Sequence, residues 1–135
     1  MNVHLSWVDA ENTVLQIRLS ATWSLHDLKV AMLTARDWIS ERQDEVSLCF
    51  DMRDSGMLPA QFLQISRTAE ACAVANQRCV IVLSDDSRHQ VGWRILRSVA
   101  RRYCKTLYFA STLSEARQIG ERKAHRHSQE RIVKF

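Results

Sequence analysis

Alternating apolar and polar residues mark two strands at the start of the chain. Residues 3–8, V-H-L-S-W-V, alternate as a half-buried strand does. A turn-like segment follows at residues 9–12, and a second strand pattern covers residues 14–19. Because a short polar turn joins the two runs, they are predicted to form an antiparallel hairpin.

Helical periodicity alternates with short apolar runs through the rest of the chain. Ser24 and Asp27 form a variant of the capping box and begin the first predicted helix. The runs at residues 46–50, 79–83 and 106–110 are predicted strands, and each is followed by a helical pattern. Pro59 is expected in the first turn of the second helix. The third helix is expected to turn these residues inward: Gly92, Ile95, Leu96, Val99, Ala100 and Tyr103.

These elements define the predicted fold class. Their order is β-β-α-β-α-β-α-β-α, which predicts an α/β domain over residues 1–122. Strands joined through helices form a mostly parallel sheet with helices packed on it, and here one antiparallel hairpin strand is expected at or near an edge. Residues 123–135 are polar and basic and are predicted to be a flexible C-terminal tail.

Composition narrows the class of protein. The chain has 135 residues, with 46% hydrophobic and 25% charged residues, as in one globular domain. None of the four cysteines belongs to a C-x-x-C pair, and we predict buried free thiols and a reducing cytoplasm. Residues 1–4 lack the pattern of a signal peptide. No apolar run approaches the ~20 residues of a membrane span.

Polar residues follow two of the predicted strands, at the edge where open α/β sheets bind ligands. The first segment is D-M-R-D-S-G at residues 51–56, and the second is S-D-D-S-R at residues 84–88. They predict a rim for a ligand or a partner, formed by Asp51, Arg53, Asp54, Ser55, Gly56, Ser84, Asp85, Ser87 and Arg88. The adjacent acids do not by themselves supply the convergent oxygens that Mg²⁺ needs, so no metal site is predicted.

Ser55 has two interpretations. At the start of the second helix its hydroxyl could accept a phosphate, which the helix dipole and free N–H groups would stabilise. Alternatively, Asp54 and Ser55 satisfy turn N–H groups while Gly56 supplies a positive φ. The sequence leaves both open.

Other chemistry-bearing residues are less specific. Arg94, Arg97 and Arg101 share one face of the third helix and could dock a phosphate, an acidic protein surface or nucleic acid. The aromatic residues expected for single-stranded nucleic acid are absent there. Either Trp23 or Trp93, which adjoin helices, is a candidate for an exposed partner surface. No catalytic triad or phosphate loop is recognisable, so neither an enzyme nor a cofactor is expected.

The element order and the segment Asp54-Ser55-Gly56 resemble the STAS domain, the fold of anti-sigma factor antagonists and of the cytoplasmic part of sulphate transporters. Asp54-Ser55-Gly56 is similar to the D-S-[ST]-G-[LM] signature of that family, with one hydroxyl residue in place of two. The junction D-x-R-x-S-G-x-x-P, residues 51–59, looks like that of bacterial STAS-like proteins. The resemblance implies a phosphorylatable serine at Ser55.

From these observations we expect a non-enzymatic cytoplasmic regulatory module that binds a protein partner and is switched by phosphorylation of Ser55. The contact surface is expected to include the rim and the second helix. One alternative is a small-ligand or nucleotide-binding domain that uses the same rim, and a second is nucleic-acid binding through the basic helix face. A homodimer is compatible with the sequence, because a hairpin leaves an edge strand free to pair.

Overall fold

Five strands form one sheet in the computed structural model, which describes residues 2–121. The strands lie in the order β1-β2-β3-β4-β5, so each strand is adjacent to the next one along the chain. β1 pairs antiparallel with β2, and all other neighbours are parallel. Both the α/β class and the predicted order are confirmed. The strands are β1 Val3–Trp7, β2 Val14–Ala21, β3 Val46–Ser55, β4 Gln77–Leu83 and β5 Leu107–Ala110.

Four helical segments connect or follow the parallel strands. The Ser24 hydroxyl accepts the Asp27 N–H at 3.0 Å, which confirms the predicted cap of the first helix. A 3₁₀ turn, Phe62–Ile65, leads directly into the short second helix. The helices are α1 Leu25–Ser40, α2 Ser66–Ala71, α3 Ser87–Val99 and α4, of which residues 113–121 are described.

The helices divide between the two faces of the sheet. Every step from β2 to β5 goes in the same direction, so right-handed crossovers place α1, α2 and α3 on one face. Their buried residues form one core cluster, whereas α4 covers the opposite face with a separate cluster around Ala116. β4 is therefore covered on both faces, as its apolar run predicts.

Close packing of α4 depends on a glycine. A Cβ at Gly120 would lie 2.9 Å from the Val14 Cγ2 atom and 3.4 Å from Ser47. The helix therefore approaches the start of β2 and β3 more closely than a larger residue would allow.

The predicted burial of the cysteines is confirmed: all four are free and buried, and Cys49 and Cys79 lie in the cluster under α4.

Aromatic rings fill the core beneath α3. The ring centroids of Phe50 and Trp93 are 4.5 Å apart, and Phe62 meets the same Trp93 ring edge-on at 5.5 Å. Trp93 is completely buried and Trp23 is 5% exposed. The idea that one of these tryptophans forms an exposed partner surface is therefore wrong, because the sheet and helices enclose both.

The end of β3 departs from the sequence expectation. The strand continues to Ser55, and the second helical segment begins only at Phe62. Pro59 therefore precedes the helix, where its carbonyl accepts the Phe62 N–H at 3.0 Å. No glycine in the described part of the chain has a positive φ, so Gly56 does not supply one. The tail predicted at residues 123–135 lies outside the described residues.

No helix within residues 2–121 combines the length and the apolar character that crossing a membrane requires.

Candidate functional site

An extra residue in β3 reshapes the strand just before it ends. Arg18 of β2 aligns with Asp51, but Ser20 aligns with Asp54, so the register shifts by one residue. A bulge of this kind redirects the side chains beyond it. Asp54 therefore lies on the face of the sheet that strict alternation would give to Ser55, and Ser55 lies on the opposite face.

Asp51 and Arg53 form a bidentate ion pair at the bulge. The Arg53 guanidinium donates to both Asp51 carboxylate oxygens at 3.0 and 2.9 Å, and the Arg53 N–H adds a third bond at 3.1 Å. Asp51 is 2% exposed. The hydrogen bonds that Arg53 donates to Asp51 raise the pKa of Arg53, and the cation is held in place by an acid within the same strand.

The next two residues point away from each other. Asp54 pairs with Arg18 of β2 at 2.7 Å, and both side chains are exposed to solvent. The Ser55 hydroxyl accepts the Trp23 indole N–H at 2.7 Å and donates to the Gly56 carbonyl at 3.1 Å. Ser55 is thus the last residue of a strand, and the prediction that it opens a helix is wrong. Its hydroxyl is occupied by two bonds.

His89 joins the ends of two strands across the base of the site. One ring nitrogen, Nε2, lies 2.8 Å from the Gly56 carbonyl oxygen, which can only accept. In the neutral ring the other nitrogen, Nδ1, therefore accepts from the Ser84 hydroxyl at 2.7 Å. Ser84 Oγ in turn accepts the Asp86 N–H at 3.0 Å. These bonds connect the segment after β3 to the start of α3. Ser84 and His89 are each 2% exposed, so the bonds are shielded from water.

Asp86 caps α3. Its carboxylate accepts the Arg88 N–H at 2.8 Å and binds the Arg88 guanidinium at 3.1 and 2.7 Å. The hydrogen bond from the Arg88 side chain lowers the pKa of Asp86 to about 2. The carboxylate therefore stays ionised at any physiological pH.

These residues surround an open depression of about 340 Å³ at the carboxyl ends of β3 and β4. The structure brings together four of the predicted rim residues there. It places Asp51, Asp54, Gly56, Ser87 and Arg88 outside the lining. The lining residues are Met52, Arg53, Ser55, Ser84, Asp85, Asp86 and His89.

Sequence reasoning missed His89 as a member of this site. His89 precedes Trp93 by four residues and Leu96 by seven, so it lies in the same row of α3 as these buried residues. A polar residue in such a row indicates a buried, hydrogen-bonded group. His89 also follows Ser84 by five residues across a strand-to-helix turn, and this short separation indicates that the two side chains can meet.

A second feature lies on the solvent side of α3. Val91, Ile95 and Val99 are 50%, 46% and 54% exposed, although Ile95 and Val99 were predicted to face inward. The prediction is wrong because the buried row consists of His89, Trp93 and Leu96. We call Val91, Ile95 and Val99 the outer stripe; their spacing of four residues puts them in one row along the helix.

The outer stripe has different neighbours on its two sides. A Cβ at Gly92 would contact the side chains of Leu58 and Phe62, so the 3₁₀ segment runs beside α3. That segment adds exposed Leu63, and the loop before it adds Met57, which is 69% exposed. The apolar surface therefore continues from α3 towards the end of β3, next to the rim.

Arginines lie on the other side of the outer stripe. The guanidinium carbon of Arg94 lies 5.1 Å from the centre of the Phe109 ring on β5. This side of α3 therefore faces β5. Arg97 and Arg101 follow on the same side and are exposed. No Asp or Glu occurs between Arg88 and Lys105, so the predicted basic face is present and borders the apolar row.

The part of the chain that is described contains no group of three or more His, Cys, Asp or Glu residues placed to hold a metal ion. Comparisons with protein-family models, with curated proteins and with solved structures found no match.

Proposed function

We propose that the protein is a non-enzymatic regulatory module that binds a protein partner through the outer stripe and the adjoining Met57 and Leu63. The observation that carries this proposal is the exposure of five large apolar side chains on α3 and on the segment that packs beside it at Gly92. Exposed apolar patches bordered by polar residues are typical of protein–protein contact surfaces. A regulatory role is also what the resemblance to the STAS domain implies.

The chemistry of the rim supports a binding role over catalysis. Both ring nitrogens of His89 are engaged in hydrogen bonds within the protein, and the Ser84 hydroxyl is almost fully buried. A general base needs a ring nitrogen that can reach a substrate proton. The Ser84–His89 pair is therefore better suited to holding the site together.

The rim also favours a protein partner over a nucleotide. Asp85 and Asp86 line the depression and would repel phosphates. The Arg53 guanidinium, which could attract them, already makes two bonds to Asp51. Nucleic acid is a weaker fit to α3, since an apolar row lies beside the arginines and makes no favourable contact with a phosphate backbone.

Phosphorylation of Ser55 is part of the proposal as a switch. A phosphate on Oγ would remove the hydroxyl proton that Gly56 accepts and would place new negative charge in the depression that Asp85 and Asp86 also line. The repulsion would loosen the segment after β3, which carries Met57. Partner contact at the edge of the apolar surface would then weaken.

Site-specific photo-crosslinking in the protein's own host tests the proposed surface. A photoreactive residue replaces Ile95, and the matched control replaces Val30 of α1, which has a similar exposure of 41%. We expect one defined protein, identified by mass spectrometry, to crosslink at position 95 and not at position 30. Val99→Asp should abolish that product because it places a charge in the contact.

Two further outcomes bear on the proposal. Identical crosslinks at positions 95 and 30 would contradict it, since both would then report random collisions. In the same assay Ser55→Asp should reduce the crosslink while Ser87→Asp, an exposed serine of the neighbouring turn, should not. An unchanged product with Ser55→Asp would remove the switch and leave the docking surface in place.

A further inference from the structure

We infer that the partner segment is an amphipathic helix with an acidic flank, which lies along α3 with its apolar residues on the outer stripe and its carboxylates against Arg94, Arg97 and Arg101. This inference rests on the proposed function and specifies the chemistry of the partner.

The geometry of the outer stripe matches a helix. Val91, Ile95 and Val99 repeat every four residues, so neighbouring side chains along α3 are about 6 Å apart. Apolar residues at i, i+4 and i+8 of a second helix have the same separation. Amphipathic helices commonly dock on apolar surfaces through such rows. The row spans two turns, which a short helical segment of a partner would cover.

The positive charge beside the outer stripe indicates which residues should flank the apolar row of the partner. On the β5 side of the outer stripe the arginines are exposed, and no acid occurs among residues 88–105. Among these cations, Arg88 is already paired with Asp86, whereas Arg94 lies over the Phe109 ring and is exposed to solvent. A helix with Asp or Glu beside its apolar row would place carboxylates next to the arginines, and complementary charge steers the approach of such a partner.

The same charge disfavours the other occupants that this chain could supply. A second copy that packed its α3 antiparallel to this one about a two-fold axis would bring arginines against arginines. The C-terminal residues 122–135 carry Arg122, Lys123, Arg126, Arg131 and Lys134 but only one acid, Glu130. Like charge thus opposes both the antiparallel homodimer through this face and the chain's own tail.

Three synthetic helical peptides of about 15 residues, a length at which helices begin to be stable in water, test the inference by fluorescence anisotropy with the full chain. All have the same register. The first has a leucine row flanked by Glu, the second has the same row flanked by Lys, and the third keeps the Glu flank but replaces the leucines with Ser. We expect the first to bind about tenfold or more tightly than either of the others, with an affinity that falls as salt is added.

Charge reversal on the protein makes the test specific. The variant Arg94→Glu/Arg97→Glu/Arg101→Glu should prefer the Lys-flanked peptide, whereas Arg117→Glu on α4, on the opposite face of the sheet, should behave as the unchanged protein. Circular dichroism of each variant checks that it is folded. A reversal of preference cannot come from unfolding, which would remove binding of both peptides.

The remaining outcomes separate this inference from the proposed function. Equal binding of the Glu- and Lys-flanked peptides would overturn the acidic flank, while the crosslink at position 95 would still support apolar docking. Equal binding of the leucine and serine peptides would overturn both, because the apolar row would then play no part. Binding to vesicles with anionic lipid headgroups that the Glu-flanked peptide does not displace would identify a membrane surface as the occupant and overturn the inference. The result that supports it is preference for the Glu-flanked leucine peptide, reversed by the triple variant.

Discussion

Helix α3 has two apolar rows, and only one of them is covered by the rest of the chain. The inner row, with Trp93 and Leu96, is fully buried between the sheet and the aromatic core. The outer stripe has the same helical spacing, yet about half of each side chain is exposed. The comparison shows that periodicity reports an apolar face without saying whether this chain or another molecule covers it.

Truncating one residue in each row should give the largest difference. Trp93→Ala removes a buried ring that contacts Phe50 and Phe62, and we expect the free energy of unfolding to fall by about 3–5 kcal/mol. Ile95→Ala, in the outer stripe, should change it by no more than about 0.5 kcal/mol. Urea denaturation of both variants measures the two values. Similar losses would mean that the outer stripe stabilises the fold and is not a free docking surface.

His89 tests whether the polar member of the inner row stabilises the rim. His89→Leu introduces an apolar side chain of comparable size and removes both ring nitrogens. The Gly56 carbonyl then keeps only the bond from the Ser55 hydroxyl, and the Ser84 hydroxyl loses its acceptor, which should cost about 1–3 kcal/mol.

Hydrogen exchange identifies where the effect of His89→Leu is felt. The amides of residues 56–61 should exchange faster, because the bond from Nε2 no longer fastens this segment to α3. Ser87→Ala, which removes an exposed hydroxyl two residues away, is the matched control and should change neither quantity. A variant as stable as the unchanged protein would show that the network contributes little to folding.

The smallest effect is expected at the N-terminus of α3, from the titration of Asp86. Its pKa is lowered from 3.8 to about 2 in the folded protein, so its contribution is fully present above pH 3.8 and is lost as the pH falls towards 2. Asp86→Asn keeps a capping side chain but does not titrate.

Urea denaturation between pH 5 and pH 2 measures this contribution. The difference in stability between the unchanged protein and Asp86→Asn should shrink on acidification and at high salt, since the Asp86–Arg88 pair is open to solvent. A difference that is independent of pH would assign the effect to the cap alone.

Most of the fold could be predicted from local patterns. The two hairpin strands, the Ser24 cap and the buried run at residues 79–83 all rest on spacing or on residues a few positions apart, and the structure confirms each. The end of β3 could not be predicted in this way. Its continuation to Ser55 depends on pairing with Ser20 and Ala21 of β2, more than thirty residues earlier in the chain, and the bulge that permits this pairing leaves no local signal.

The candidate site could be predicted only in part for a similar reason. The rim lies where parallel strands end, so its position follows from the element order. Which residues line the depression depends on tertiary structure. The bulge turns Asp54 towards Arg18 and away from the depression, and the packing of α3 buries His89 at its edge.

The amino-acid pattern alone determined the order of strands and helices, the hairpin at one end, the burial of the cysteines and the basic face of α3. These depend on the local repeat of apolar and polar residues, and that repeat is a property of the chain itself. Only the tertiary structure decided which of the two apolar rows of α3 enters the core. Both rows have helical spacing, and the row that carries Trp93 is the one that packs against Phe50 and Phe62, so the outer stripe is left at the surface.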